Sequence, residues 1–175
     1  MTTMTTITCQ CGKTRLEAKG APILTAACFC KSCQDAGRQF AALSPSTSVL
    51  GADGGTAVVL YRKDRVTCAS GSEHLEERRL KPQSPTRRVV AACCGSPMFL
   101  DFTKGHWLAL YRNRFGAAAP AIEMRVMTNE RPTGVTLSSD VPNHGSHSGR
   151  FLRKLLGAWI MMGFRRPVVT MGRPS

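Results

Sequence analysis

The residues best suited to chemistry in this 175-residue chain are its cysteines, and seven of the eight fall into three groups. Cys9-Gln10-Cys11-Gly12 comes first, Cys28-Phe29-Cys30-Lys31-Ser32-Cys33 second and Cys93-Cys94-Gly95-Ser96-Pro97 third, with Cys68 alone between them. Zinc takes soft thiolates in a tetrahedron with metal–sulfur distances of about 2.3 Å, and short spacings let one turn supply two or three of them. A C-x-C-x-x-C run can place three sulfurs around one metal. Glycine directly after a ligand permits the tight backbone that aims amide N–H groups at sulfur. An isolated cysteine such as Cys68 reads instead as a small buried hydrophobe.

The redox compartment decides between metal and disulfide. The segment Met1 to Thr8 has neither a basic region nor an apolar stretch, so no secretory signal is expected and the reading is cytoplasmic. Disulfides rarely persist in a reducing cytosol, and clustered cysteines there read first as metal ligands or catalytic thiols. The expectation is roughly one or two zinc ions per chain.

Composition bounds the elements that must hold these sulfurs. Hydrophobic residues make up 42% and charged ones 20%, an ordinary globular balance that excludes disorder across the whole chain. No apolar run is long enough to span a bilayer. The first hundred residues read as short strands with turn punctuation: Lys13 to Lys19, Ile23 to Cys28, Thr56 to Tyr61, Arg65 to Ser70, Leu75 to Leu80, Arg87 to Ala92, Pro97 to Phe102 and Trp107 to Tyr111. Such spacing suits a small antiparallel sheet protein, and no long helical periodicity interrupts it. Residues 116–149 read as a loop-rich connection, turn-rich from Thr128 to Gly149. From Arg150 to Phe164 a helix is expected. Its broad apolar face comprises Phe151, Leu152, Leu155, Leu156, Trp159, Ile160 and Met162, flanked by Arg150, Arg153 and Lys154.

The order C-x-C-G, then C-x-C-x-x-C, then C-G-S-P after several strands resembles the glutathione-dependent formaldehyde-activating enzyme/centromere protein V family. The stretch Gly71-Ser72-Glu73-His74-Leu75 and the run from Arg88 to Pro97 are similar to a branch with a Cys-Cys pair; the resemblance covers roughly residues 7–111. It implies a mainly β chain, a β-tent of small antiparallel sheets pinned by zinc over residues 5–115, followed by the connection and a basic C-terminal helix and tail over 150–175. It also implies two metal sites. Cys9, Cys11 and Cys94 match a structural site, and Cys28, Cys30 and Cys33 match a second with an open position. One departure stands out. Where the family has C-x-x-C-G, this chain has Ala91-Ala92-Cys93-Cys94-Gly95. Neighbouring side chains in a strand point to opposite faces, so both sulfurs reach one metal only through a turn or bulge. Cys93 as fourth ligand, a weakened site and a metal-free site all stay open.

The resemblance implies carbon–sulfur lyase chemistry on a glutathione, or other thiol, adduct of a small aldehyde. Cys28, Cys30 and Cys33 would then be the catalytic set. A vacant fourth position lets zinc act as a Lewis acid, and a thiol bound there would be a thiolate. Lys31, Arg38 and Arg88 are candidate clamps for the substrate carboxylates, although each also reads as a solvated charge. Asp35 is the nearest carboxylate in sequence; His74 and His106 are remote. The competing class is a non-catalytic zinc-pinned module that binds nucleic acid or a protein partner. Its support is a net charge of +13, from 24 Lys and Arg against 11 Asp and Glu. Against it, the basic residues are dispersed and aromatics are only 6%, too few for a base-stacking platform. The terminal helix is expected to dock on the domain or on a second copy rather than on a membrane.

Overall fold

The computed structural model describes residues 3–43 and 48–172. In chain order its elements are β1 (Met4–Thr8), β2 (Arg15–Lys19), β3 (Leu24–Cys28), α1 (Lys31–Leu43), β4 (Thr56–Arg62), β5 (Val66–Ser70), β6 (Leu75–Arg78), β7 (Thr86–Ala91), β8 (Ser96–Phe102), β9 (Trp107–Tyr111), β10 (Met124–Val126) and α2 (Gly149–Met161). They form two sheets, a small one ordered β1-β2-β5 and a large one ordered β10-β3-β4-β9-β8-β7-β6. The chain is mainly β with a C-terminal helix. Every strand pair is antiparallel except β10 against β3.

The burial of β4 explains the layering. Successive side chains of a strand point to opposite faces, and here both faces are covered. Val59 and Tyr61 enter one core with Ile7, Leu16 and Val66 of the small sheet. Val58 and Leu60 enter the other with Ala36 and Phe40 of α1 and Phe151 and Leu155 of α2. A strand buried on both sides reads as a continuous apolar run, which is what Ala57-Val58-Val59-Leu60-Tyr61 is. The large sheet is therefore the middle layer, with the small sheet on one side and both helices on the other.

Four features differ from the sequence expectation, the first being β1, a strand that the expected set lacks. α1 occupies a half that reads as all β: its inward face is Cys33, Gln34, Ala36, Gly37 and Phe40, helical in spacing but with little large apolar content. β10 lies inside the segment expected as loop, and it completes the large sheet beside β3. On α2, Phe151, Leu155 and Ala158 are buried, and so is Met162 just after it, whereas Leu152, Leu156 and Ile160 are exposed. The helix thus docks through one side of the stripe, capped by Ser148, whose hydroxyl accepts the Phe151 N–H at 3.1 Å. No described helix is long and apolar enough to cross a membrane.

Candidate metal centres

The cysteines gather into two groups. Cys9, Cys11, Cys93 and Cys94 bring their four sulfurs within 4.8 Å of one another, and so do Cys28, Cys30 and Cys33 with their three. Cys68 joins neither; its thiol faces the Ser70 carbonyl at 3.3 Å.

The four-cysteine group forms where two hairpin turns meet. Cys9 follows β1 in a knuckle: its N–H donates to the Thr14 carbonyl at 3.0 Å, its carbonyl accepts from Gly12 N–H at 3.1 Å, and its sulfur accepts from Thr14 N–H at 3.2 Å. Gly12 takes a left-handed φ of 80° to close this turn. The other pair sits between β7 and β8, where Cys94 N–H donates to the Ala91 carbonyl at 3.2 Å and Gly95 turns with φ 70°. Cys93 and Cys94 are thus in a turn, not a strand, and the constraint that would send their sulfurs to opposite faces does not apply. Ala91 itself stays in β7, buried opposite Leu75 and Ser96.

Sulfur separations test whether an ion would fit. A tetrahedron with metal–sulfur bonds of about 2.3 Å has sulfur–sulfur edges of about 3.8 Å. The observed separations are 3.6 Å for Cys9–Cys11, 3.8 Å for Cys9–Cys93, 3.4 Å for Cys11–Cys93 and 4.0 Å for Cys93–Cys94. The set could hold a metal ion, with Cys93 as the fourth sulfur. Around it lies a polar shell that sequence reading did not single out. The buried Ser96 hydroxyl lies 3.1 Å from the Cys94 sulfur while accepting Gln10 N–H at 3.0 Å and Arg114 Nη1 at 3.1 Å. Ser96 belongs to the C-G-S-P element, and that position is the signal that could have found it. Burial pushes the Cys94 thiol up, but the Ser96 hydroxyl and neighbouring N–H groups outweigh it and hold the thiol at about 6. Burial and the Cys11 contact push Cys93 up to about 12.

The three-cysteine group forms at a strand-to-helix transition. Cys28 ends β3, Cys30 precedes α1, and Cys33 lies in its first turn. The Cys30 carbonyl accepts from Cys33 N–H at 3.0 Å and Gln34 N–H at 3.1 Å, opening the helix. Between the sulfurs, Phe29 is fully buried, and its N–H donates to the Val126 carbonyl of β10 at 3.1 Å. Gln34 ties the loop from below, donating to the Phe29 carbonyl at 2.5 Å and the Glu130 carbonyl at 2.7 Å. Contacts with Cys28 and Cys33 draw the Cys30 thiol far down; the same contacts push Cys28 and Cys33 up. Of the three, Cys30 is the sulfur that most favours the thiolate, and it sits at the positive end of α1.

The other candidate residues fall as follows. Lys31 and Arg38 are exposed, and Arg38 pairs with Asp35 at 2.5 Å. His74 lies 3.5 Å from Glu73. His106 is buried against α2, with Nε2 2.8 Å from the Leu155 carbonyl and its ring stacked on Trp159 at 5.7 Å. Arg88 is not a solvated charge: it is only 2% exposed, and its Nη2 donates to the Ser32 carbonyl at 3.1 Å and hydroxyl at 2.8 Å.

A crystal structure of a Rhodobacter sphaeroides protein superposes with a TM-score of 0.46 at 13% identity, covering 79% of this chain and 98% of that one. No curated protein matches the chain. The family model described as glutathione-dependent formaldehyde-activating enzyme (GFA) matches residues 4–119, which include all seven clustered cysteines, and the chain belongs to that family.

Proposed function

We propose that the protein is a zinc enzyme that makes or breaks the carbon–sulfur bond of a glutathione, or similar thiol, adduct of a small aldehyde. The observation that carries this reading is the difference in sulfur count between the two centres. Cys9, Cys11, Cys93 and Cys94 supply four donors, the number that closes the coordination of a structural zinc. Cys28, Cys30 and Cys33 supply three donors, the number that leaves a catalytic zinc one position free. Zinc suits such all-thiolate sets.

In the three-cysteine centre, a bound zinc would supply Lewis acidity and favour the thiolate form of an incoming thiol. The chain's own residues do the positioning. The Phe29 and Gln34 hydrogen bonds fix the loop that carries Cys28, Cys30 and Cys33, so the sulfurs are arranged before any ligand arrives. Beside Ser32, in the middle of that loop, opens a cleft of about 810 Å³ between α1 and residues 80–85, with Arg38 and Lys81 on its walls. Lys81 suits a substrate carboxylate there, whereas Arg38 already pairs with Asp35 on the same wall. Residues 5–115 form the catalytic unit in this reading, and the partner is a small thiol adduct rather than nucleic acid.

Turnover of the glutathione–formaldehyde adduct by the zinc-loaded protein tests the proposal, with Cys30→Ser as the control. Turnover by the native chain and loss of at least about a hundredfold in the variant support it. A zinc-replete protein that neither binds glutathione nor turns over the adduct sinks the enzyme reading and leaves a zinc-pinned binding module.

A further inference from the structure

Arg88 is a buried cation without an anion. It lies in β7 on the face that carries Val90 into the α1-side core. Its Nε and Nη1 are buried and have no hydrogen-bond partner among the described residues. The contrast with the adjacent Arg87 is sharp, since Arg87 pairs with Asp101 at 2.7 Å and Glu77 at 3.3 Å. Among the described residues Arg88 makes no such pair. Taking an ion out of water costs several kcal/mol unless an opposite charge compensates it, so a fold that buries a guanidinium must place an anion near it.

Two groups of the surrounding core could carry that charge. Tyr111, whose phenol contacts the Arg88 guanidinium, is one, but burial outweighs that contact, pushes the phenol up and keeps it neutral. The other is the cysteine centre. The Arg88 guanidinium donates to the carbonyl and hydroxyl of Ser32, and Ser32 stands between Cys30 and Cys33. Three thiolates around a divalent ion carry one net negative charge, which a single guanidinium balances.

We propose that Arg88 is the built-in counter-charge of the three-cysteine centre: its guanidinium, held against Ser32 between Cys30 and Cys33, offsets the net negative charge of three thiolates holding a divalent ion. The proposal rests on the reading that these cysteines bind metal. Arg88 is a positioning residue in it, not a catalytic one. At the four-cysteine centre the half-buried Arg114 donates to the Ser96 hydroxyl, itself 3.1 Å from the Cys94 sulfur.

Chelator competition on the full-length zinc protein tests the proposal, with Arg88→Met, Arg88→Lys and Cys30→Ser compared against the native chain. Cys30→Ser identifies which of the two bound ions belongs to the three-cysteine centre. Arg88→Met is expected to weaken that ion's binding about tenfold or more, the range found for groups that support metal ligands. Arg88→Lys keeps the charge and should stay within about threefold of native, and the ion at Cys9, Cys11, Cys93 and Cys94 should be unaffected in both. A general loss of structure would lower both ions' affinities together, so their ratio separates the roles. Unchanged binding in Arg88→Met, or equal weakening in Arg88→Met and Arg88→Lys, overturns the counter-charge. Should Arg88→Met not fold, Arg88→Lys decides alone, and a loss beyond about tenfold counts against it. If Cys30→Ser removes no ion, the metal reading fails and the counter-charge falls with it; if it removes one that Arg88→Met retains fully, only the counter-charge falls.

Discussion

The two cysteine centres differ most in how much chain each one ties together. Cys28, Cys30 and Cys33 come from six consecutive residues, so an ion there closes almost nothing. Cys9 and Cys11 come from the turn after β1, and Cys93 and Cys94 from the turn between β7 and β8. An ion among those four joins the small sheet to the large one across more than eighty residues of sequence, as the Cys9–Cys93 separation of 84 positions shows. Cross-links restrict the unfolded chain more as the loop they close grows. One centre is therefore placed to stabilise the layered fold, and the other to present sulfurs with little consequence for folding. A protein can lose the second and stay folded, which is consistent with the reactive role proposed for it.

The largest expected effect follows directly. Cys9→Ser removes a sulfur from the long-range centre and the acceptor of the Thr14 N–H. It should cost about 3 kcal/mol or more, by analogy with loss of a cross-link closing a long loop. For a chain of this size that is a fall of roughly 6–12 °C in melting temperature. Cys30→Ser should lower the melting temperature by only a few degrees while abolishing turnover. Thermal scans of the two variants at equal zinc check the contrast. Equal destabilisation by both would break the division of labour.

A smaller effect is expected at Ser96, which tests whether the polar shell belongs to the stabilising centre. Ser96→Ala takes from Gln10 N–H and Arg114 Nη1 their acceptor and from the Cys94 sulfur its nearest hydroxyl. Both donors are within reach of water, so the loss is that of ordinary hydrogen bonds, about 0.5–1.5 kcal/mol. The melting temperature should fall accordingly, and zinc should leave the four-cysteine centre about ten times more readily while the other ion is unaffected. A Ser96→Ala protein with native stability and native zinc retention would place the shell outside the centre's energetics.

How much of this was legible in the sequence varies with the physics of each element. The strand set was readable because alternation and turn residues are local signals, and β3 to β9 fall close to where those signals put them. The cysteine grouping was readable from spacing, and the turn that reconciles Cys93 with Cys94 was anticipated as one of the ways both sulfurs could converge. α1 was hidden because its buried face relies on Cys33, Gln34 and Gly37 as well as Phe40, so hydrophobic periodicity is weak where helical packing is real. β10 is three residues long and owes its existence to pairing with β3, a non-local cause. In the sequence Arg88 reads as a candidate carboxylate clamp or a solvated charge, because a charge rarely enters a core. Its burial depends on partners from α1 that adjoin it only in the folded chain.

The finest test compares single thiols inside the two centres after zinc is stripped and the protein kept reduced. Thiolate, not thiol, reacts with an alkylating agent, so labelling rates report which sulfurs hold the charge. Cys93 and Cys94 are adjacent and both half-buried, which makes access similar and leaves ionisation to decide. Cys94, held at about 6, should label faster as pH rises through that value and then level off. Cys93, pushed up to about 12, should label slowly and keep accelerating across the whole working range. In the other centre, Cys30 is drawn so far down by Cys28 and Cys33 that its rate should be flat from pH 5 to 8, while Cys28 and Cys33 stay slow, within roughly the range of buried inert thiols. Peptide mapping by mass spectrometry after short exposures gives each rate. Equal labelling of Cys93 and Cys94, or a Cys30 rate that climbs like that of an ordinary thiol near pH 8.5, would mean that the metal-free centres do not concentrate their charge on one sulfur each. The Ser96 hydroxyl and the start of α1 would then have no part in preparing the sulfurs for a metal ion.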